Sequence, residues 1–191
     1  MSYVLTTSAS RDEEIEVRID LFVAGENGGF RDKPASRLRL QTIARPPQLV
    51  DVDGDGRLDV VAVTVRTDTL RGLTGDGPTA LDAQWNVFRN DGRRFVLPAM
   101  AIQPLRLPAK AQRGGGTFVE TLAGASGRPG ALLLRDGDTL QRRPVLRDGD
   151  RLQLGEPSTS FAIPEKSLLE GRQSGEVLVR SEHELLHVRT R

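Results

Sequence analysis

The chain has 191 residues, no cysteine, 27 basic and 26 acidic residues, and a formal net charge of +1. Without cysteine there are no disulfides, thiolate metal sites or cysteine nucleophiles, and the near-zero charge creates no overall field that would attract nucleic acid. No apolar run approaches the ~20 residues that a membrane helix needs, so we expect neither a nucleic-acid partner nor membrane insertion.

Alternating apolar residues first appear at 15–23, and this period of two predicts a half-buried strand. The following cluster, 25–29, contains glycines and an asparagine that tolerate positive φ, so the chain is expected to turn there as a hairpin. Similar turn signals flanked by short apolar runs recur at 89–92, 135–138 and 147–150. The pattern predicts a chain that is nearly all β.

One strand pattern occurs repeatedly. The segment 130–140 aligns without gaps with 175–185, and the segments 59–64 and 3–7 fit the same strand. Repeats of ~40 to 50 residues with about four short strands each are typical of β-propeller blades, which bury their faces against one another. We therefore predict a partial β-propeller of about three to four four-stranded blades, with a β-sandwich as the alternative.

An acidic loop, residues 51–59, carries the clearest chemical signal. Asp51, Asp53, Asp55 and Asp59 stand at its positions 1, 3, 5 and 9, and the backbone carbonyl of Arg57 stands at position 7. Hard cations such as Ca²⁺ take six to eight oxygen ligands at ~2.3 to 2.6 Å, and alternate carboxylates in a tight loop can supply them. Calcium suits such an all-protein oxygen cage better than Mg²⁺ does. An acidic turn without an ion is the alternative.

An EF-hand begins in the same way but differs downstream. It requires a bidentate glutamate at position 12, which here is Ala62, and helices on both sides of the loop. This loop lies instead between two apolar segments, 48–50 and 58–65, that are typical of strands. An EF-hand is thereby excluded.

The run 48–62 resembles the FG-GAP or VCBS repeat of integrin-alpha-like β-propellers. The resemblance implies calcium bound through the carboxylates of Asp51, Asp53, Asp55 and Asp59 and the carbonyl of Arg57. It also implies an extracellular, periplasmic or cell-surface location, although the N-terminus has no signal-peptide pattern. A non-enzymatic binding, adhesion or scaffold module with a protein or glycan partner is the expected function.

Later copies of the repeat depart from this motif. The aligned positions are Leu122, Gly124, Ser126 and Gly130, and then Ser167, Leu169, Gly171 and Gly175. We predict one single propeller-like region over 1–191, made of a partial blade at 1–46, a calcium-loop blade at 47–113, a degenerate blade at 114–157 and an incomplete last blade at 158–191. Because closed propellers have four to eight blades, further blades or self-association are expected to complete it.

No set of residues has the spacing of a catalytic site. His183 and His187 are the only histidines, and Ser126 and Ser174 lie among glycines without forming a nucleophile elbow. No catalytic residue is therefore predicted, and Trp85 is expected to fill core between blades. The alternative function is a fragment of a propeller-fold carbohydrate-active enzyme, such as a polysaccharide lyase, whose catalytic groups lie elsewhere.

Overall fold

A computed structural model describes residues 3–9, 16–41, 46–65, 80–108, 119–136, 138–164, 168–172, 176–180 and 185–189. Within these stretches the chain forms fifteen β-strands and no helix, so the prediction of an all-β protein is confirmed. No helix there is long and apolar enough to cross a membrane.

The strands form four antiparallel sheets, none of which closes on itself in the described part of the chain. The first sheet contains β1 (Tyr3–Ala9), β2 (Glu16–Val23) and β3 (Ser36–Gln41). The second contains β4 (Gln48–Val50), β5 (Asp59–Val65), β6 (Ala80–Phe88) and β7 (Ala101–Pro108). The third contains β8 (Val119–Leu122), β9 (Ala131–Asp136), β10 (Thr139–Asp148) and β11 (Arg151–Leu154), and β12 (Thr159–Ala162) pairs with the start of β10. The fourth contains β13 (Leu168–Arg172), β14 (Glu176–Arg180) and β15 (Leu185–Arg189).

The predicted strands and the first turn agree with this arrangement. The strand predicted at 15–23 is β2, whose first described residue is 16, and the turn after it is closed by the Gly25 N–H donating to the Gly29 carbonyl at 2.8 Å. The strand pattern that recurs in the sequence forms β1, β5, β9 and β14, each paired with the strand that follows it. Residues 66–79, between β5 and β6, lie outside the described residues.

Strand β5 is buried on both faces. Val60 and Ala62 pack with the apolar residues of β2 and β3, whereas Val61, Val63 and Val65 pack with residues of the third sheet. This explains its nearly continuous apolar sequence, because a strand covered on both sides gains from apolar residues at every position. The second sheet is thus sandwiched between the first and the third.

Strand β9 is covered in the same way. Leu132 and Leu134 face the second sheet, and Ala131 and Leu133 face the cluster that includes β14 of the fourth sheet. Each sheet therefore packs against the next one in chain order.

Trp85 lies in the core between the second and third sheets and is fully buried. Its indole Nε1–H donates a hydrogen bond to Thr121 Oγ1 at 3.1 Å. The bond gives the buried polar end of the ring a partner, which buried indoles generally require. The prediction that this side chain fills core between neighbouring sheets is confirmed.

Candidate metal centre

The acidic loop connects β4 to β5 and is organised by its first carboxylate. Asp51 Oδ1 accepts hydrogen bonds from the backbone N–H of Gly54 at 2.8 Å and of Asp55 at 3.0 Å, and Oδ2 accepts one from Gly56 at 2.8 Å. Gly54 and Gly56 have φ of 77° and 85°, in the left-handed region that glycine tolerates best. The glycines between the aspartates therefore allow the chain to curl around the Asp51 side chain.

Three of the aspartates converge on one point. Asp51, Asp53 and Asp59 each offer one carboxylate oxygen, and these oxygens lie within 4.8 Å of one another. Two ligands of the same calcium ion are at most about 5 Å apart, twice the ion–oxygen distance. The spacing of the three oxygens is therefore compatible with a shared cation.

Asp59 is fully buried where β5 begins. Its Oδ2 accepts a hydrogen bond from the Val52 N–H at 3.1 Å, and its Oδ1 accepts one from the Asn90 N–H at 3.0 Å. Burial raises the pKa of Asp59 to about 7; the charges of Asp53 and Asp55 add to the rise, and the two hydrogen bonds oppose it. A bound cation would favour the charged carboxylate and would relieve this penalty.

Asp53 is fully buried as well, and its two oxygens differ. Oδ1 accepts a hydrogen bond from the Asp55 N–H at 3.1 Å. Oδ2 lies 3.0 Å from Arg147 Nη2 and 3.4 Å from Arg89 Nε, yet within the described residues it has no hydrogen-bond partner. These contacts have the distance of ion pairs but not the direction of hydrogen bonds, so a buried anionic oxygen keeps unused acceptor capacity.

The carboxylate of Asp55 is not part of the cluster. Its Oδ2 lies 3.0 Å from Arg57 Nη1 and 3.3 Å from Arg89 Nη2, and its Oδ1 accepts a hydrogen bond from the Arg57 N–H at 2.9 Å. Of the predicted ligands, the structure thus gathers Asp51, Asp53 and Asp59. Asp55 is engaged by arginines, and Arg57 pairs with it through an exposed side chain.

Three further residues of the site were not predicted from the sequence. Arg89 and Asn90 follow β6, and Arg147 lies near the end of β10 in the neighbouring sheet. Their sequence signals were the turn patterns at 89–92 and 147–150, which say nothing about the acidic loop. Arg147 also donates from Nη2 to the Asp53 carbonyl at 3.2 Å, so one side chain of the third sheet contacts both the backbone and the carboxylate of the loop.

The acidic loop docks on a glycine-rich turn, residues 123–130, between β8 and β9. Three N–H groups of this turn donate to three carbonyls of the acidic loop: Gly124 to Asp51 at 2.7 Å, Gly127 to Gly54 at 2.9 Å and Gly130 to Val52 at 2.8 Å. The turn is the segment whose sequence aligns with the acidic loop but lacks its carboxylates. It supports the loop through its backbone.

Two glycines at this contact leave no room for a side chain. A Cβ on Gly124 would lie 2.9 Å from the Gly54 nitrogen across the contact and 2.3 Å from the Arg128 carbonyl oxygen of its own turn, and one on Gly54 would lie 2.6 Å from that same oxygen. Real Cβ atoms do not approach backbone atoms this closely. The two loops therefore hold the second and third sheets together through close backbone contact, and the carboxylates lie directly beside it.

Among the described residues, no serine or histidine discussed above belongs to the aspartate cluster. Ser126 lies exposed in the glycine-rich turn with φ of 52°, as expected for a turn residue. His183 and Ser174 lie outside the described residues, and His187 lies in β15.

Comparison of the chain with models of known protein families, with characterised proteins and with solved structures finds no match. The likeness to FG-GAP and VCBS repeats therefore rests on the acidic motif and the strand pattern of the sequence.

Proposed function

We propose that the chain is a calcium-binding β-propeller module that serves as a non-enzymatic binding, adhesion or scaffold domain. The main observation in support of calcium binding is the cluster of Asp51, Asp53 and Asp59, whose candidate ligand oxygens lie within 4.8 Å of one another. Asp53 adds an independent reason, because its Oδ2 is buried without a hydrogen bond. A divalent cation would supply the missing partner, and its charge would offset the repulsion among the carboxylates.

The resemblance implies that Asp55 and the Arg57 carbonyl complete the ligand set. In the structure Asp55 is paired with Arg57 and Arg89, so its participation requires those pairs to break. Arg89 and Arg147 already place positive charge beside Asp53, and calcium must compete with them. The alternative is that the arginines alone neutralise the carboxylates and no ion binds, and the experiment must exclude it.

The way in which the sheets pack supports a propeller arrangement over a sandwich. A two-layer sandwich buries one face of each sheet, whereas β5 and β9 are apolar and covered on both faces. Blades of a propeller pack face to face in chain order, as neighbouring sheets do here. The first and fourth sheets would then need further blades or a second copy of the chain to cover their outer faces.

Location and partner follow from the resemblance. Outside the cell, calcium-binding modules work at calcium concentrations of about 0.1 to 1 mM. At such concentrations calcium can bind even at a site where it must compete with neighbouring arginines. We propose an extracellular, periplasmic or cell-surface location and a protein or glycan partner. The calcium would fix the docked loops and so hold the binding surface in shape.

The metal proposal can be tested by thermal melting in about 1 mM Ca²⁺, in Mg²⁺ and in chelator. We expect calcium to raise the melting temperature of the wild type by mass action, and to leave Asp53→Asn unchanged. Asp82→Asn removes an exposed carboxylate on β6 and is the matched control, which should respond as the wild type does. Equal responses of the two variants, or no response of the wild type, would contradict the proposal.

The non-enzymatic assignment needs a separate assay. The protein is incubated with acidic polysaccharides in calcium, and ultraviolet absorbance reports the unsaturated sugar that a lyase produces. We expect no product above a no-protein control. Product formation by the wild type would overturn the assignment in favour of a polysaccharide lyase.

A further inference from the structure

A second candidate site lies away from the acidic loop, between the first two sheets. The connection from β2 to β3 and the connection from β6 to β7 border a cavity of about 350 Å³. Arg31 and Lys33 line it from the first connection, and Arg93 lines it from the second. Three cationic side chains from two sheets therefore border one cavity.

These three side chains differ from the other basic residues nearby. Asp20 binds both Arg18 and Arg37, with the shortest contact at 2.7 Å. Asp91, on the same connection as Arg93, pairs with Arg94 at 3.5 Å.

By contrast, Arg31, Lys33 and Arg93 form no ion pair with any carboxylate in the described part of the chain. Like charges that share a cavity without an anion repel one another, and a bound anion relieves that repulsion. Their arrangement favours a ligand with more than one negative charge.

The remaining wall is apolar. The apolar surface comes from Val23, Pro34 and Ala35, together with the backbone at the start of the turn. A cavity of this size falls at the lower end of the range for small-molecule sites, and such sites combine apolar walls with a few placed polar groups. The wall can accept a carbon skeleton while the cations bind its acidic groups.

We propose that this cavity, the basic pocket, binds a small organic polyanion bearing carboxylate, phosphate or sulfate groups. Arg31 and Arg93 can each donate two parallel hydrogen bonds to an oxyanion, and Lys33 adds a point charge. The pocket shares no residue with the metal centre. The proposal therefore stands or falls independently of calcium binding.

The test is calorimetric titration in calcium-free buffer of low ionic strength. The probes are citrate, a hexose bisphosphate and a disulfated disaccharide, which separate the three anionic groups. The pocket variant Lys33→Ala/Arg93→Ala is compared with Arg106→Ala/Arg151→Ala, which removes the same charge from exposed positions on β7 and β11. Circular dichroism checks that each variant folds, and Lys33→Arg/Arg93→Lys keeps the charge of the pocket.

We expect saturable binding of at least one probe with one site per chain, weakened by added salt. The pocket variant should bind at least about tenfold more weakly, whereas the control and the charge-retaining variant should stay within a fewfold of the wild type. Lack of saturable binding by the wild type, or equal losses in the pocket and control variants, would overturn the proposal. Unchanged affinity in the pocket variant would overturn it as well.

Discussion

Substituting Gly124 with alanine tests whether the backbone of the glycine-rich turn, and its contact with the acidic loop, are packed as tightly as the structure has them. The new Cβ would lie 2.3 Å from the Arg128 carbonyl oxygen and 2.9 Å from the Gly54 nitrogen. Both neighbours are backbone atoms, so no flexible side chain can move aside. Arg128 belongs to the same turn as Gly124, so against a 3.0 Å limit for real Cβ contacts the turn itself must open by about 0.7 Å, and the acidic loop must move away by about 0.1 Å.

The cost follows from two contributions. Overpacking a tight contact costs about 1 to 3 kcal/mol, and the strained hydrogen bond from the Gly124 N–H to the Asp51 carbonyl, now 2.7 Å, adds about 1 kcal/mol. We therefore predict a loss of about 2 to 4 kcal/mol of unfolding free energy. In a protein of this size that corresponds to a fall of roughly 4 to 16 °C in melting temperature.

The assay is thermal and urea unfolding of the variant beside Gly29→Ala. Gly29 is the matched control because the nearest atom to its added Cβ is Asn27 Oδ1 at 3.6 Å, an ordinary contact, and its φ is not positive. The control should stay within about 0.5 kcal/mol of the wild type. If Gly124→Ala is as stable as the control, the backbone of the turn is not packed against itself and against the acidic loop as closely as the structure has it.

Three other changes have defined outcomes. Trp85→Phe leaves Thr121 without its indole donor and opens a small void, so denaturant unfolding should register a loss of about 1 to 3 kcal/mol. Arg147→Met removes a cation beside Asp53 Oδ2, so it should destabilise the calcium-free protein yet tighten calcium binding in a calorimetric titration. A weaker calcium affinity would argue against competition between Arg147 and calcium. In the ion-free native state the pKa of Asp59 is about 7, against 3.8 ordinarily, so this state binds a proton that the unfolded chain releases. The Asp59 contribution to stability is thus full below pH ~4 and is lost as pH rises through ~7, by about 4 kcal/mol at most. Urea unfolding of Asp59→Asn across this pH range should lack that fall in stability. A pH profile identical to that of the wild type would refute the assigned pKa.

Much of the fold follows from local sequence patterns. The alternation at 15–23 predicts β2, and the continuous apolar run at 58–65 predicts β5, because the period and composition of a strand reflect which faces are covered. The short strand β12 (Thr159–Ala162) was not predicted. Four residues carry too little periodicity to be told from a loop, and β12 is fixed by its pairing with β10.

The candidate site, like the fold, could be predicted from the sequence only in part. Asp51, Asp53 and Asp59 lie within nine residues of one another, so the local turn alone brings them together. Arg89 and Arg147 reach the loop from distant segments through the packing of strands and sheets, which no local pattern encodes. The orientation of Asp55 is fixed partly by Arg57, two residues away, and partly by Arg89 from a distant segment, so the sequence alone does not give it.

We propose that the aspartates at the junction of the second and third sheets share one calcium ion. Isothermal titration calorimetry of the chelator-treated wild type with Ca²⁺ measures this directly, with Asp53→Ala as the comparison. We expect a saturable isotherm with one ion per wild-type chain and no saturable heat for the variant. A flat wild-type titration, or the same isotherm for both proteins, would contradict it.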